Sequence, residues 1–178
     1  MGLLEPQRQF ETRRLRLRPL LPQDAPVMAA FLADAGVARM TCSVPHPFTL
    51  ADADAFIAAA AAGDPRRQAR FAIEHEDHGL VGGVGFTHPD GDAAPEVGYW
   101  IGRPFWGRGF ATEALEGALA WARRRWGRRA VMAGHFADNP ASGRVLEKAG
   151  FLYTGERHRL LSRARGEAAE ARMMVWLA

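Results

Sequence analysis

Apolar and polar residues alternate with a period of two near the start of the chain. In the stretch RRLRLRPL (13–20), Leu15 and Leu17 alternate with arginines, and Pro19 ends the pattern. A strand with one buried and one solvated face has this period. Apolar runs bounded by turn residues predict six further strands, at 69–76, 80–88, 95–102, 130–136, 151–161 and 170–178.

Apolar residues at helical spacing predict four helices. The longest runs from about Gly109 to Trp126, and the others cover 21–36, 49–63 and 139–150. Thr49 is expected to cap the second helix and Asn139 the last one. The order of strands and helices predicts a single α/β domain over residues 1–178, with a mixed sheet.

Glycines interrupt two of the predicted strands. Gly82, Gly83 and Gly85 leave one strand without side chains, which indicates close approach by another backbone or by a ligand. Gly98 in the next strand is interpreted as the site of a β-bulge.

The stretch FWGRGFATEA (105–114) joins a strand to the longest predicted helix. It has no lysine, so it is not a Walker loop, and its glycine spacing does not fit the dinucleotide fingerprint. Gly107 and Gly109 would let a phosphate group approach the free N–H groups of the helix N-terminus. A pyrophosphate is the ligand that we expect at this position. The alternative is that the two glycines only turn the chain.

Composition restricts the function less than this motif does. The net charge of +3 is carried by arginine, since Lys148 is the single lysine, and such a surface suits nucleic acid or a phosphorylated small molecule. Nucleic acid is not expected as a partner, because no nucleic-acid motif appears and the arginines are scattered. The cluster HEDH (75–78) lacks a second group of ligands, so no metal is expected.

Location is inferred from what the sequence lacks. No apolar run is long enough for a membrane span, the N-terminus has no signal-peptide pattern, and the single Cys42 excludes an intramolecular disulfide. We therefore expect a cytoplasmic protein that does not act at a membrane. The sequence is compatible with a homodimer.

Three motifs in order resemble one enzyme family. GYWIGRPFWGRGFATEAL (98–115), DNPASGRVLEKAGF (138–151) and the opening ETRRLRLRPLLPQDA (11–25) resemble the GNAT superfamily of acetyl-CoA-dependent N-acetyltransferases, and more narrowly its RimJ/RimL-like branch, which acetylates N-termini of ribosomal proteins. The superfamily pattern [Q/R]-x-x-G-x-[G/A] falls on Trp106, Gly109 and Ala111. Its first position is therefore a tryptophan here, a departure that is usual in this branch.

The resemblance implies acetyl-CoA as cosubstrate and a mixed sheet of about seven strands with about four helices, splayed between the fourth and fifth strands. The pantetheine arm of acetyl-CoA would lie in that gap, between the strands 96–101 and 130–136. Trp100 and Ile101 of the first strand would then bind the cofactor. The pyrophosphate would lie on the backbone of Gly107, Arg108, Gly109, Phe110, Ala111 and Thr112. Arg108 either adds charge toward a phosphate or points to solvent.

The chemistry of acetylation needs a base, because an attacking amine must lose a proton. Glu96 is the residue that we expect to accept it, directly or through a water molecule. The alternative is an exposed carboxylate at a strand end. A backbone N–H near Tyr99 or Trp100 is expected to stabilise the oxyanion.

The leaving thiolate can accept a proton from a donor. The tyrosine that many family members carry in the last helix is replaced by Leu146, and the resemblance to the branch points to Ser142 instead. Ser142 is also expected to bind the cofactor. The alternative is that its side chain only forms a hydrogen bond with the backbone of its own helix. Asn139 would bond the pantetheine, cap the helix, or do both.

The sequence says least about the acceptor amine. The segment 20–70 and the last hairpin should border the acceptor groove, and we interpret MTCSVPHPFT (40–49) as a connecting loop in preference to a pocket rim. The acceptor would be a protein N-terminal α-amine or a small-molecule amine, which attacks the thioester directly. The alternative is a non-catalytic acyl-CoA-binding sensor or interaction module.

Overall fold

The computed structural model describes residues 9–89 and 93–178. Within these ranges the chain forms eight strands: β1 (Phe10–Glu11), β2 (Leu15–Arg18), β3 (Gln68–His75), β4 (Gly79–Thr87), β5 (Glu96–Ile101), β6 (Ala130–Phe136), β7 (Leu152–Ser162) and β8 (Glu167–Leu177). The five α-helices are α1 (Ala25–Leu32), α2 (Ala35–Ala38), α3 (Leu50–Ala62), α4 (Phe110–Arg124) and α5 (Pro140–Lys148). The N-terminus used for the signal-peptide expectation, and the start of the predicted domain, lie in residues 1–8, outside the described residues.

All eight described strands belong to one mixed sheet, in the order β1-β2-β3-β4-β5-β6-β8-β7. The β5–β6 pair is parallel and the other neighbouring pairs are antiparallel. The predicted mixed α/β fold is therefore confirmed.

Helices cover both faces of the sheet. The apolar side of α4, including Leu115 and Leu119, packs with Phe71 and Phe86 in one core, to which Leu146 of α5 also belongs. On the other face, α1 and α3 pack in a second core with Ala72 of β3. Successive residues of a strand point to opposite faces, which explains why Phe71 and Ala72 belong to different cores.

The element counts differ slightly from the prediction, for local reasons. Strand β1 has two residues, too few to produce a recognisable alternation. The predicted helix 21–36 divides because Asp34 adopts an extended backbone and its side chain accepts a hydrogen bond from Gly36 N, which caps the new helix α2. The predicted Thr49 cap of α3 is confirmed, with Asp52 completing a capping box.

The predicted splay lies between β5 and β6, the fourth and fifth strands of the sequence-based prediction. These strands pair at one position, Glu96 with Met132, where Met132 N donates to Pro95 O at 2.8 Å. Beyond that point β5 continues to Ile101 without further pairing to β6. The sheet therefore opens toward the carboxyl end of β5, and this gap positions the candidate site.

The glycines of β4 and β5 have different roles. A Cβ atom at Gly82 would lie 2.3 Å from Trp100 O, and one at Gly83 would lie 2.8 Å from Trp100 Nε1, which confirms the predicted close approach. The bulge predicted at Gly98 is wrong, because the β4–β5 register continues unbroken through Gly85 and Gly98. Gly98 instead faces open space, with no atom within 4 Å of an added Cβ.

Candidate active site

The loop before α4 owes its shape to two glycines. Gly107 has φ +73° and Gly109 has φ +78°, a region that residues with a Cβ rarely adopt. An added Cβ at Gly107 would meet no atom within 4 Å. Both glycines are therefore required by the backbone, as the turn interpretation states, and Gly107 also leaves open space beside the loop. We call the segment from Gly107 to Thr112 the cradle.

The cradle ends in free backbone donors. The hydrogen-bond ladder of α4 begins where Glu113 N donates to Gly109 O at 3.1 Å. The N–H groups of Phe110, Ala111 and Thr112 precede this first bond, and no side chain caps the helix at Gly109. Together with the helix dipole, these groups form a site suited to an anion.

A clamp from the turn between β1 and β2 holds the cradle in position. The Glu113 carboxylate accepts hydrogen bonds of 2.7 Å from Thr12 Oγ1, from Arg14 N and from Arg14 Nε. Arg14 Nη1 also donates to Arg108 O at 3.1 Å. Burial opposes ionisation of Glu113, but the hydrogen bonds from Thr12 and Arg14 outweigh it and lower the pKa of the carboxyl. Sequence reasoning missed this clamp, whose partners lie far apart in the chain.

The cradle borders a cavity of about 390 Å³, the cradle cavity. Its charged lining residues are Arg144 and Lys148 of α5, and no carboxylate lines it in the described part of the chain. A site with two cations and free backbone N–H groups suits a phosphorylated ligand. The sequence-predicted residues that line it are Trp100, Ile101, Gly107, Gly109, Phe110, Ala111, Thr112, Asn139 and Ser142.

Arg108 is the predicted cofactor residue that the structure keeps outside this cavity. It is exposed, its guanidinium lies over the Phe105 ring at 5.6 Å, and Nη1 is 3.3 Å from His78 Nε2. Its neighbour Trp106 lines the cavity and donates its indole N–H to Ile101 O at 2.7 Å. The tryptophan of the sequence motif therefore binds the end of β5.

The open edge of β5 presents backbone groups in a definite order. Gly102 N donates to Val81 O at 2.9 Å, so the N–H groups of Trp100 and Gly98 also point toward β4. The alternate residues Tyr99 and Ile101 point their N–H groups toward the gap. Of the two predicted oxyanion donors, Tyr99 is therefore the one whose N–H faces the opening.

A second cavity of about 500 Å³, the sheet cavity, lies over the β3–β4–β5 face and is bordered by α1 and α3. Glu96 lines it together with Cys42, Arg70, Arg163 and aromatic side chains. It shares five lining residues with the cradle cavity: Met40, Thr41, Tyr99, Trp100 and Ser142. The two cavities therefore meet at the gap between β5 and β6.

Glu96 has the electrostatic surroundings of a proton acceptor. Although the residue is exposed to solvent, the protein atoms crowded around its carboxyl raise its pKa, and the charge of His158 opposes this rise. A raised pKa makes a carboxylate a stronger base than an ordinary surface glutamate.

Tyr99 and Ser142 meet where the two cavities join. Tyr99 Oη lies 2.8 Å from Ser142 Oγ and 3.1 Å from Ser142 O. Burial raises the pKa of Tyr99 to about 12, with the hydrogen bond to Ser142 opposing the shift, so the phenol stays protonated at neutral pH. Sequence reasoning considered the backbone of Tyr99 but missed its side chain.

The start of α5 explains two further predicted residues. Asn139 caps the helix by accepting from Ser142 N at 3.3 Å, and it also lines the cradle cavity. Both functions considered for Asn139 are therefore geometrically available. Leu146, which stands where many family members have a tyrosine, is fully buried in the core.

The segment 40–49 corrects the prediction of a plain connecting loop. Met40, Cys42, Val44 and Phe48 line the sheet cavity, so the segment forms part of its rim. Burial raises the pKa of the Cys42 thiol, and the negative charge of Glu96 adds to the shift. Across the residues that the structure describes, no group of three or more His, Cys, Asp or Glu side chains could hold a metal ion.

Comparison with known proteins identifies the family. A family model described as "Acetyltransferase (GNAT) domain" matches residues 14–152, most of the chain. The chain belongs to the GNAT acetyltransferase family. This GNAT protein is 32% identical over 149 residues to YoaA, an uncharacterized N-acetyltransferase of Bacillus subtilis (strain 168). The matched region covers 82% of this chain and 84% of the relative. The predictions of the family and of N-acetyltransferase activity are confirmed.

Solved structures share the fold of this GNAT acetyltransferase. Mycobacterium smegmatis RimJ, in complex with CoA-disulfide, superposes with a TM-score of 0.84 at 19% identity, covering 100% of this chain and 90% of that chain. Spermidine N-acetyltransferase from Vibrio cholerae, in complex with CoA and spermine, has a TM-score of 0.77 at 17% identity and covers 92% and 95% of the two chains. Among the described helices, none has the length and apolar character needed to cross a bilayer.

Proposed function

We propose that this enzyme transfers the acetyl group of acetyl-CoA to a primary amine by direct attack on the thioester. The observation that carries the proposal is the meeting of two cavities at the β5–β6 gap. One cavity has cations and free N–H groups, and the other contains Glu96. A donor phosphate group and an acceptor amine therefore have separate sites that converge on Tyr99 and Ser142.

The residues of the cradle cavity fit acetyl-CoA, which supplies the reactive thioester. The N–H groups of residues 110–112 would hold the pyrophosphate, and Arg144 and Lys148 would add positive charge. At the free edge of β5, the Tyr99 carbonyl and the Ile101 N–H would bond to the amides of the pantetheine arm, since the Ile101 carbonyl already accepts from Trp106 Nε1. Asn139 would bind the same arm. Arg108, which lies outside the cavity, is proposed to act only through its backbone.

Glu96 is proposed to be the general base. A peptide α-amine has a pKa of ~8 and a lysine ~10.4, so the attacking amine must first lose a proton. The raised pKa of Glu96 brings the carboxylate nearer to the working pH, which favours proton transfer. Its position in the sheet cavity puts this base on the acceptor side of the gap.

Tyr99 and Ser142 are proposed to serve the thioester side. The Tyr99 N–H, directed into the gap, would donate to the carbonyl oxygen as negative charge builds on it. Ser142 Oγ would donate a hydrogen bond to the leaving sulfur, which departs as a thiolate, while Ser142 Oγ accepts a hydrogen bond from Tyr99 Oη and both hydroxyl groups keep their protons. The two hydroxyl groups thus form a short chain of donors.

Direct transfer is favoured over an acyl-enzyme. Cys42 is the single thiol of the chain, and its raised pKa keeps it protonated and therefore a poor nucleophile. Within the family we propose the RimJ/RimL-like branch, which is supported by the sequence motifs and the similarity to RimJ. A single domain over 1–178 and a cytoplasmic location remain part of this proposal.

The test is a thiol-release assay with acetyl-CoA and a panel of amines, comparing the wild type with Glu96→Gln. We expect Glu96→Gln to lower the transfer rate at least about a hundredfold, the usual worth of a general base, with little loss of acetyl-CoA affinity by calorimetry. Glu76→Gln, in the exposed turn after β3, is the matched control and should behave as the wild type. Acetyl-CoA binding without turnover of any amine would favour the non-catalytic sensor instead.

A further inference from the structure

Four glycines among the described residues line the sheet cavity, and one of them lies under open space. They are Gly83, Gly85, Gly98 and Gly134. An added Cβ at Gly98 would meet no atom within 4 Å, whereas an added Cβ at each of the other three would touch a side chain. The floor of the sheet cavity is therefore bare backbone at Gly98 and covered at the other three glycines.

The side chains over β4 border one side of this open floor. A Cβ at Gly83 would lie 2.8 Å from Trp100 Nε1, and one at Gly85 would lie 3.2 Å from Arg70 Cγ. Gly83 and Gly85 belong to the strand that pairs with β5 on this side of Gly98. An aromatic ring and the methylene stem of an arginine therefore border the open floor on the β4 side.

The β6 side and the rim of the cavity are apolar as well. A Cβ at Gly134 would lie 3.1 Å from Met173 Sδ and 3.5 Å from Leu160 Cδ1, and Leu160 lines the cavity. Val44 and Phe48 of the segment 40–49 line it too. Such walls favour burial of an apolar group.

Glu96 determines where the nitrogen of the acceptor lies. It is two residues before Gly98 on β5, so both face the sheet cavity, while the Tyr99 N–H between Gly98 and Trp100 points into the β5–β6 gap. An amine over Gly98 is therefore beside the proposed base and next to the proposed oxyanion donor.

The charges of the lining favour an acceptor with a single ammonium group. Glu96 is the only carboxylate among the described residues that line the sheet cavity, and the other two charged residues, Arg70 and Arg163, are cations. A second ammonium group would find no carboxylate to pair with in this lining. Its burial against apolar side chains would therefore cost free energy.

We infer that the acceptor is a small primary amine whose remaining part is apolar and uncharged. Its nitrogen lies over Gly98 beside Glu96, and its apolar part lies among Trp100, Leu160 and Phe48. This inference rests on the proposed function. The cavity of about 500 Å³ has the size of a small-molecule site, so the structure favours a free amine over a peptide that begins with an apolar residue.

The test compares two amines of equal length that differ in one charge. Thiol release from acetyl-CoA is measured with pentylamine and with 1,4-diaminobutane, in which an ammonium group replaces the terminal methyl group. We expect the wild type to prefer pentylamine by at least about tenfold in kcat/KM, because the second ammonium is unpaired in the cavity. Each ammonium of the diamine lowers the pKa of the other, so its amine loses a proton more readily and the preference cannot come from amine reactivity.

Leu160→Glu places a carboxylate on the wall and should lower the preference for pentylamine at least about tenfold, because the second ammonium gains a partner. The ratio of the two substrates is the readout, so a general loss of activity cancels. Leu161→Glu is the matched control: it makes the same change at the next residue of β7, which is 60% exposed and faces away from the cavity, and it should keep the full preference.

Gly98→Ala tests the floor. Gly98 does not have a positive φ, and the added methyl group would touch no protein atom, so Tm and acetyl-CoA affinity should stay as in the wild type. The methyl group would occupy the place of the acceptor, and kcat/KM for pentylamine should fall about tenfold. An unchanged kcat/KM for pentylamine would overturn the position over Gly98.

A wild type that prefers 1,4-diaminobutane, or a preference for pentylamine that Leu160→Glu leaves intact, would overturn the inference. Peptides that begin with leucine or with lysine examine the other source of an apolar amine. Discrimination between these peptides, with none between pentylamine and the diamine, would assign the apolar site to a peptide and overturn the small amine.

Failure of the proposed function would look different. If no amine releases thiol, transfer itself is contradicted, and binding then decides the inference alone. The thermal shift of the CoA-loaded protein is measured with pentylamine and with 1,4-diaminobutane. Stronger stabilisation by pentylamine that is lost in Leu160→Glu and kept in Leu161→Glu supports the inference, and equal shifts for both amines in the wild type reject it.

Discussion

Replacing Gly109 by alanine separates the two functions that the sequence allows for the cradle glycines. Gly109 has φ +78°, and an alanine held there costs roughly 1–2 kcal/mol of folding stability. For a domain of this size, each kcal/mol lowers Tm by about 2–4 °C. The added Cβ would lie 3.4 Å from Arg14 Nη2, an ordinary contact, so no further clash is expected.

Gly127 provides the matched control. It has φ +68°, an added Cβ there meets nothing within 4 Å, and it lies in the exposed turn after α4, away from both cavities. Gly127→Ala should therefore lose as much stability as Gly109→Ala. Calorimetric titration with acetyl-CoA should distinguish the two variants, because only Gly109 borders the free N–H groups of the cradle.

The expected loss of acetyl-CoA affinity in Gly109→Ala is about tenfold to a hundredfold, which corresponds to weakening one charged hydrogen bond at the helix N-terminus. Gly127→Ala should bind acetyl-CoA as the wild type does. Equal affinities in the two variants, together with equal falls in Tm, would show that the cradle glycines only turn the chain.

Three more results are expected. The kcat/KM of the wild type should rise with pH as Glu96 ionises. Because the pKa of Glu96 is raised, this rise should occur at a higher pH than for an ordinary glutamate. Glu96→Gln should lose the rise, and a pH profile that the substitution leaves unchanged would exclude Glu96 as the base. Tyr99→Phe should lower kcat about tenfold with KM for acetyl-CoA nearly constant, since it breaks the hydrogen bond to Ser142; a change confined to KM would indicate a binding function. Asp24→Ala should cost about 3 kcal/mol in urea unfolding, because buried Arg18 loses its two 2.8 Å hydrogen bonds to Asp24 and keeps only the longer contact of 3.3 Å to Glu74. Glu170→Ala, in an exposed pair, should cost less than about 1 kcal/mol, and equal losses would contradict this reasoning.

The parts of the site that sequence could predict are those set by local backbone. Gly107 and Gly109 predict a left-handed turn before a helix, and Asn139 predicts the start of α5. Both predictions work because a glycine turn and a helix cap depend on only a few neighbouring residues. The strands β2 to β8 were similarly recognisable from alternation and turn residues, whereas the two residues of β1 were not. The parallel β5–β6 contact and its gap came from the family resemblance, since neither strand carries a local sign of them.

The remaining site contacts join residues that are far apart in the chain. Tyr99 and Ser142 are separated by 43 positions, and their hydrogen bond exists only because α5 docks beside the open edge of β5. Arg14 and Glu113 are separated by 99 positions. No local pattern encodes such contacts, since they depend on how helices pack against the assembled sheet.

The sheet cavity shows the same limit for the acceptor. The segment 40–49 has the composition of an ordinary loop, and it becomes a rim because α1 and α3 place it over β5. The cross-strand row through Arg70, Gly85 and Gly98 depends on strand register. Sequence could therefore suggest the donor, while the walls of the sheet cavity are formed only in the assembled sheet.

The central claim is direct transfer of an acetyl group from acetyl-CoA to an amine at the β5–β6 gap. Mass spectrometry of the enzyme and the amine during turnover tests this most directly. The account predicts one acetyl group on the amine nitrogen, free CoA in equal amount, and an enzyme of unchanged mass at every time point. An acetylated enzyme that forms before the product, or bound acetyl-CoA with no acetylated amine, would contradict it.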